Sequence, residues 1–294
     1  QVLAIERDLP AAETLLREVR RRAAAAGDAH REAAALNNLG MSRFGVSRYD
    51  EALEFLTPIL ALSSLERTGL YAGALNNAGI CFARLGDFEQ AGALQRRAIA
   101  AESTPVYHSR ALGELGNTLI LSGDPAGAVT HLEQALTVAK GAGLLPDAAL
   151  WAGNLAVASL VLERWDEAER YNQEAIRLGE AQKRDTAIYT DHNAARIAAG
   201  RGQKAAAQSS LARILATPDL PPAVEWEAHA DLAELLLATN PALAIREFDR
   251  ALQVIERTRD ELLKTEYRFA FPSRLRHFTE DYVDALVALG RDEA

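Results

Sequence analysis

Alanine returns at a nearly fixed interval along this chain, at Ala52, Ala91, Ala128, Ala168 and Ala207, in steps of 39, 37, 40 and 39 residues. Twelve residues before each marker stands Gly40, Gly79, Gly116, Ala156 or Ala195, and seven after each stands Ile59, Ala98, Ala135, Ala175 or Ile214. Small residues at such offsets let one helix press against its partner at short range. A unit of this length leaves one face uncovered, so neighbours must stack to bury it. The pattern therefore specifies a repeat array, an architecture that usually binds rather than catalyses.

Each repeat reads as two helices with a turn between them. In the stretch from Asn77 to Ala91, apolar residues recur at helical spacing up to Leu85, and Gly86-Asp87 then ends one helix and caps the next. Gly123-Asp124 repeats the break, with Pro125 at a position that suits a helix start. Ser47-Arg48, Glu163-Arg164 and Gly202-Gln203 occupy the equivalent places. An aromatic follows the turn at Tyr49, Phe88 and Trp165 and is expected to wedge between the paired helices. Pro125 and Lys204 fill that slot elsewhere, where packing should be less complete.

These features resemble the tetratricopeptide repeat family, in the long form of roughly forty residues, over almost the whole chain. The resemblance implies an all-α, right-handed α-α superhelix with about six full repeats. A sixth repeat fits around Leu232-Ala233, Ala244, Phe248 and Ala251, with a shorter turn at Thr239-Asn240-Pro241. Ala12, Leu16 and Val19 match the second helix of a partial repeat at the start. Residues 1–266 are thus expected to form the solenoid (partial repeat 1–27, full repeats from 28), and 267–294 a capping or linker helix. Because the sequence starts at Gln1 and its only methionine is Met41, it reads as a piece of a longer protein.

A 49% hydrophobic content supplies ample apolar surface for a continuous core. No apolar run approaches the length of a membrane span, and a cytoplasmic location is expected. The net charge of −9 argues against nucleic acid as a partner. Arg20, Arg21 and Arg22 form the densest basic run, late in a helix where cations complement its dipole. The six histidines fall at unrelated repeat offsets, and no pair has the spacing of a helical metal site. Cys81, the single cysteine, rules out an internal disulfide and reads as a buried core thiol rather than a nucleophile. Gly200-Arg201-Gly202 makes no phosphate loop, lacking both a strand before it and a lysine-serine pair after it. No enzyme and no cofactor are expected.

The informative polar feature is a ladder fourteen residues before each marker: Asn38, Asn77, Glu114, Asn154 and Asn193. Asparagine inside a helix costs about 0.6 kcal/mol relative to alanine, so its recurrence needs a reason. An amide offers a donor and an acceptor together, matching the N–H and C=O of an extended peptide. Packed helices lie about 8–10 Å apart, and an extended chain rises about 3.3 Å per residue, so one rung would meet about every third ligand residue. One turn further on stand Met41, Ile80, Asn117, Val157 and Arg196, of which Asn117 and Arg196 extend the candidate site. Two readings stay open: the amides hold a ligand, or each ties its helix to a neighbour.

Similar ladders in long-repeat relatives, such as kinesin light chains and Pins-type polarity scaffolds, hold extended peptides. The resemblance carries that role to Asn38, Asn77, Asn154 and Asn193, while Glu114 departs from it. Near the end, Ile255-Glu256-Arg257, Phe269, Tyr282 and Leu289-Gly290-Arg291 resemble the segment joining tetratricopeptide repeats to a CHAT domain, a caspase-like protease. That likeness implies a sensing or recruiting region, with the protease domain downstream. A regulatory module of the quorum-peptide-receptor type and a purely architectural scaffold are the alternatives. The partner expected is a protein or peptide, with neither nucleic acid nor membrane.

Overall fold

The small residues at the three marker offsets become the points of closest helix contact. In the computed structural model the described residues are 9–46, 48–101, 104–181, 187–260 and 273–288, and they carry fourteen α-helices and no strand. Two compact units divide the chain, one up to Leu119 and one from Ile120 onward. The helices are α1 (Leu9–Ala25), α2 (Ala29–Gly45), α3 (Tyr49–Leu60), α4 (Gly69–Arg84), α5 (Phe88–Ala100) and α6 (Pro105–Ser122). They continue with α7 (Pro125–Gly141), α8 (Leu145–Val161), α9 (Trp165–Glu180), α10 (Ala187–Gly200) and α11 (Lys204–Leu215). Last come α12 (Pro222–Leu236), α13 (Pro241–Asp260) and α14 (Ser273–Ala288).

In the first unit, α2 pairs with α3 and α4 with α5. Marker residues Ala52 and Ala91 are fully buried. A methyl group added at Gly40 would stand 2.8 Å from Leu56 Cγ and 3.1 Å from the Ala52 carbonyl oxygen. At Gly79 it would stand 2.9 Å from Gln95 Cγ and 3.1 Å from the Ala91 carbonyl oxygen. Two backbones meet here with no room for a side chain. Around this contact Leu36, Leu56, Ile59, Leu75 and Leu94 fill the core, with Cys81 among them.

The second unit repeats the arrangement in α8–α9, α10–α11 and α12–α13. Ala156, Ala168, Ala195 and Ala207 are buried, as are Ala233, Ala244, Phe248 and Ala251 of the sixth repeat. The expected helix from Ala242 to about Glu266 is observed over Pro241–Asp260, and its remainder lies outside the described residues. Phe278 of α14 packs against Phe248 and Trp226, with ring centroids 5.7 and 6.1 Å apart, and Tyr282 packs on Phe248 at 5.5 Å. The last helix therefore covers the sixth repeat with aromatic rings. Tyr267, Phe269 and Phe271 of the expected aromatic cluster lie outside the described residues.

Turn chemistry follows from the sequence. Gly86, Gly123 and Gly202 take φ of +82°, +89° and +76°, where a side chain is disfavoured. Asp87 and Asp124 then accept hydrogen bonds from the backbone N–H of Gln90 and Gly127 at 3.0 and 2.9 Å. Glu163 holds the same turn position with φ of +56° and no glycine, and Arg164 after it supplies no side-chain cap. Ser47 of the first turn lies outside the described residues. Trp165 packs against Leu160 of its own repeat and Ile197 of the next, and so reaches beyond the helix pair where it was expected to wedge. An added methyl at Gly200 of the next repeat would sit 2.5 Å from its ring. At Lys204, where the aromatic is missing, a cavity of about 360 Å³ opens between Trp165, Leu211 and Leu235.

Two outcomes follow. Gly79→Leu should lower the melting temperature markedly, since overpacking costs about 1–3 kcal/mol or more; a wild-type melting curve would place the helix contact elsewhere. Glu163→Gly should raise stability by about 0.5–1 kcal/mol by removing a left-handed side chain, and chemical denaturation midpoints check it.

Candidate peptide-binding site

On a helix, residues two apart point about 200° from each other. Asn38 and Asn77 precede Gly40 and Gly79 by two, so they face away from the second helix those glycines touch. The fold thus turns the ladder positions out of each repeat's own hairpin. What each side chain does there differs.

In the first unit Asn38 is exposed and makes no side-chain hydrogen bond to another described residue. Asn77 is half-buried, and its Nδ2 donates to Asn37 Oδ1 at 3.0 Å, which ties the first helices of two consecutive repeats together. Asn117 Nδ2 donates to Glu114 Oε2 at 3.2 Å within one helix, so this carboxylate and amide form one polar site. Met41 and Ile80 on the same stripe are half-buried rather than core.

In the second unit Asn154 is half-buried, and its Nδ2 atom is itself buried and meets no acceptor. Asn193 is only 6% exposed. Its Nδ2 donates to Asn172 Oδ1 at 3.4 Å, and Asn172 Nδ2 donates to the Thr190 carbonyl at 2.9 Å. This amide relay is internal, so at Asn193 the tying role accounts for the side chain. Arg196 Nε lies 3.7 Å from Asp231 Oδ2, an oxygen that also bonds His192 Nε2 at 2.7 Å. Arg196, which sequence offset places in the candidate site, therefore already has an acidic neighbour supplied by α12. Glu227 stands 4.0 Å from His192 Nδ1. Sequence reasoning missed this His192–Asp231–Arg196 cluster, although His192 and Arg196 stand four apart on one helix face. Their acidic partner comes from α12 of the next repeat, which spacing within α10 alone does not reveal.

Burial pushes the Cys81 thiol up to about 12, far from a reactive thiolate. Among the described residues no group of three or more His, Cys, Asp or Glu is placed to hold a metal ion. No helix among them is long and apolar enough to cross a membrane.

Models of the tetratricopeptide repeat match residues 33–102, 70–141 and 114–183 of the chain, together spanning more than half of it. The chain belongs to the tetratricopeptide repeat family. Solved structures agree on the fold. The apo form of RapI is similar with a TM-score of 0.64 at 14% identity, covering 88% of this chain and 99% of that one. A chain of the APC/C hetero-tetramer Cut9-Hcn1 gives 0.63 at 15% identity, over 93% of this chain but only 46% of that one. A Rap protein complexed with competence and sporulation factor gives 0.56 at 17% identity, over 89% of this chain and 76% of that one. No curated protein is similar at a significant level.

The two kinds of tetratricopeptide asparagine separate by stability. Asn172→Ala should cost about 1–3 kcal/mol by stranding buried partners, whereas Asn38→Ala should leave the melting temperature unchanged or slightly higher. Equal effects on both would dissolve the distinction.

Proposed function

We propose that this chain is a protein-interaction module that holds an extended peptide, or a partner's flexible segment, against the first helices of its repeats. The observation that carries the reading is the state of the ladder amides. Asn38 stands exposed without a described partner, and Asn154 carries a buried donor with no acceptor, which a turn of its amide would have to bring to a ligand. Water satisfies the exposed Asn38 amide, whereas the buried Asn154 donor costs stability until it finds an acceptor, and a ligand backbone offers both N–H and C=O. Asn77 contributes through its link to Asn37 and presents a fixed amide pair rather than a loose one. The Glu114–Asn117 site gives the first unit a place for a ligand donor. Arg196, held by Asp231, offers only the part of its guanidinium turned away from that carboxylate.

Two finer readings attach to this one. The likeness of the end of the chain to the segment before a CHAT domain supports a role as the sensing region of a caspase-like protease. Ligand-dependent cleavage by the longer protein, absent when the repeats are deleted, is the measurement that tests it. The similarity to a peptide-bound Rap protein over most of both chains favours a second reading, a regulatory peptide receptor. That reading differs in requiring a short free peptide rather than a segment of a folded partner.

The deciding experiment measures stability and affinity on the same variants. Asn38→Ala with Asn154→Ala should weaken partner binding by about 1 kcal/mol or more per lost pair of hydrogen bonds, while melting temperature holds or rises because alanine is the better helix former. Salt should change the affinity little, since amide contacts to backbone carry no net charge. A double variant that melts early yet binds normally would end the groove reading.

A further inference from the structure

The slot after the turn of the fifth repeat lacks the ring that fills its counterparts. Trp165 holds that slot in the fourth repeat, packed against Leu160 of its own repeat and Ile197 of the next. Tyr49 holds it in the first, with its ring centroid 5.3 Å from that of Phe44. Leu160 and Phe44 both stand five residues before their aromatic, and Ile197 stands two after the small residue Ala195. The same offsets in the fifth repeat give Lys204 in place of the aromatic, Ala199 five before it, and Leu235 two after Ala233 of the sixth.

Lys204, Ala199 and Leu235 all line the cavity of about 360 Å³, with Trp165 and Leu211 as further walls. The open space therefore falls where the repeat geometry elsewhere places a ring. A methyl group and an exposed lysine chain stand where other repeats put two bulky apolar side chains. An engineered cavity of about 150 Å³ binds benzene, so this slot has room for an aromatic side chain. The cavity also reaches the ladder stripe, since Arg196, one turn beyond Asn193, is part of its lining.

The charged lining narrows the chemistry of the guest. Asp231 is bonded to His192 Nε2 at 2.7 Å and stands beside Arg196, and Glu234 also has a partner within the protein. Neither carboxylate is left over for a cationic guest. Lys204 makes no side-chain hydrogen bond or ion pair to another described residue. An ammonium group is attracted to the negative face of an aromatic ring, which an aliphatic side chain does not offer. The Trp165 indole at the wall adds a surface on which a second ring can stack.

We infer that this slot seats one aromatic side chain of the bound segment, so that the partner supplies the ring the fifth repeat lacks. The inference rests on the peptide-binding reading above. It adds an aromatic anchor and the place where that anchor docks.

Fluorescein-labelled serine-glycine peptides test it by fluorescence anisotropy. One carries a central phenylalanine, one a leucine at that place, and one neither. The phenylalanine peptide should bind the wild-type chain about tenfold or more tighter than the peptide without an apolar residue. It should bind about threefold or more tighter than the leucine peptide. Lys204→Phe supplies the ring from the chain itself. That variant should erase the phenylalanine preference and raise the melting temperature by about 2–4 °C, as a filled cavity does. Equal binding of the phenylalanine and leucine peptides, or a preference that survives in Lys204→Phe, overturns this inference alone. So does a lower melting temperature of Lys204→Phe, which would show that the slot does not accept a ring. Failure of every peptide to bind the wild-type chain overturns the peptide-binding reading and this inference with it.

Discussion

Everything in this molecule depends on how closely two helices of one repeat can approach. Gly40 and Gly79 bring a helix backbone against the carbonyl oxygens of Ala52 and Ala91, with about 3 Å left for any added carbon. That contact fixes which face of the first helix turns inward. The residue two positions earlier must then face the other way, so Asn38 and Asn77 inherit their outward placement from a glycine. The binding reading is a consequence of packing before it is a matter of polar chemistry.

The array was legible because its constraints are local and recur. Each marker alanine is fully buried, and the glycine turns take the left-handed backbone that their sequence implied. The sixth repeat, inferred from only a few positions, closes around Phe248 with Ala233 and Ala251. Where Lys204 replaces an aromatic, its side chain lines a half-open pocket shared with Trp165, Leu211 and Asp231.

The candidate site was less legible, and the reason is physical. Repeat offset tells which way a side chain points but not what stands opposite it. Asn154 and Asn193 share an offset, yet one lacks an acceptor while the other donates to Asn172. Asn172 lies on a second helix and belongs to no visible ladder. Likewise Arg196 reads as a free cation in sequence, whereas Asp231 from the following repeat already lies beside it. Partners supplied by another helix depend on how neighbouring repeats pack, which the offset within one repeat does not encode.

The cap of Phe278 and Tyr282 on Phe248 and Trp226, together with Trp165 on Gly200, has an optical consequence. The chain contains three tryptophans, Trp151, Trp165 and Trp226, and all three lie in the second unit. Intrinsic emission therefore watches one half of the molecule, from a fully enclosed indole at Trp151 to a half-covered one at Trp165. Far-ultraviolet ellipticity sums over the helices of both units. Where the two signals part company during heating, the gap belongs to the dark half, which holds Asn38 and Asn77.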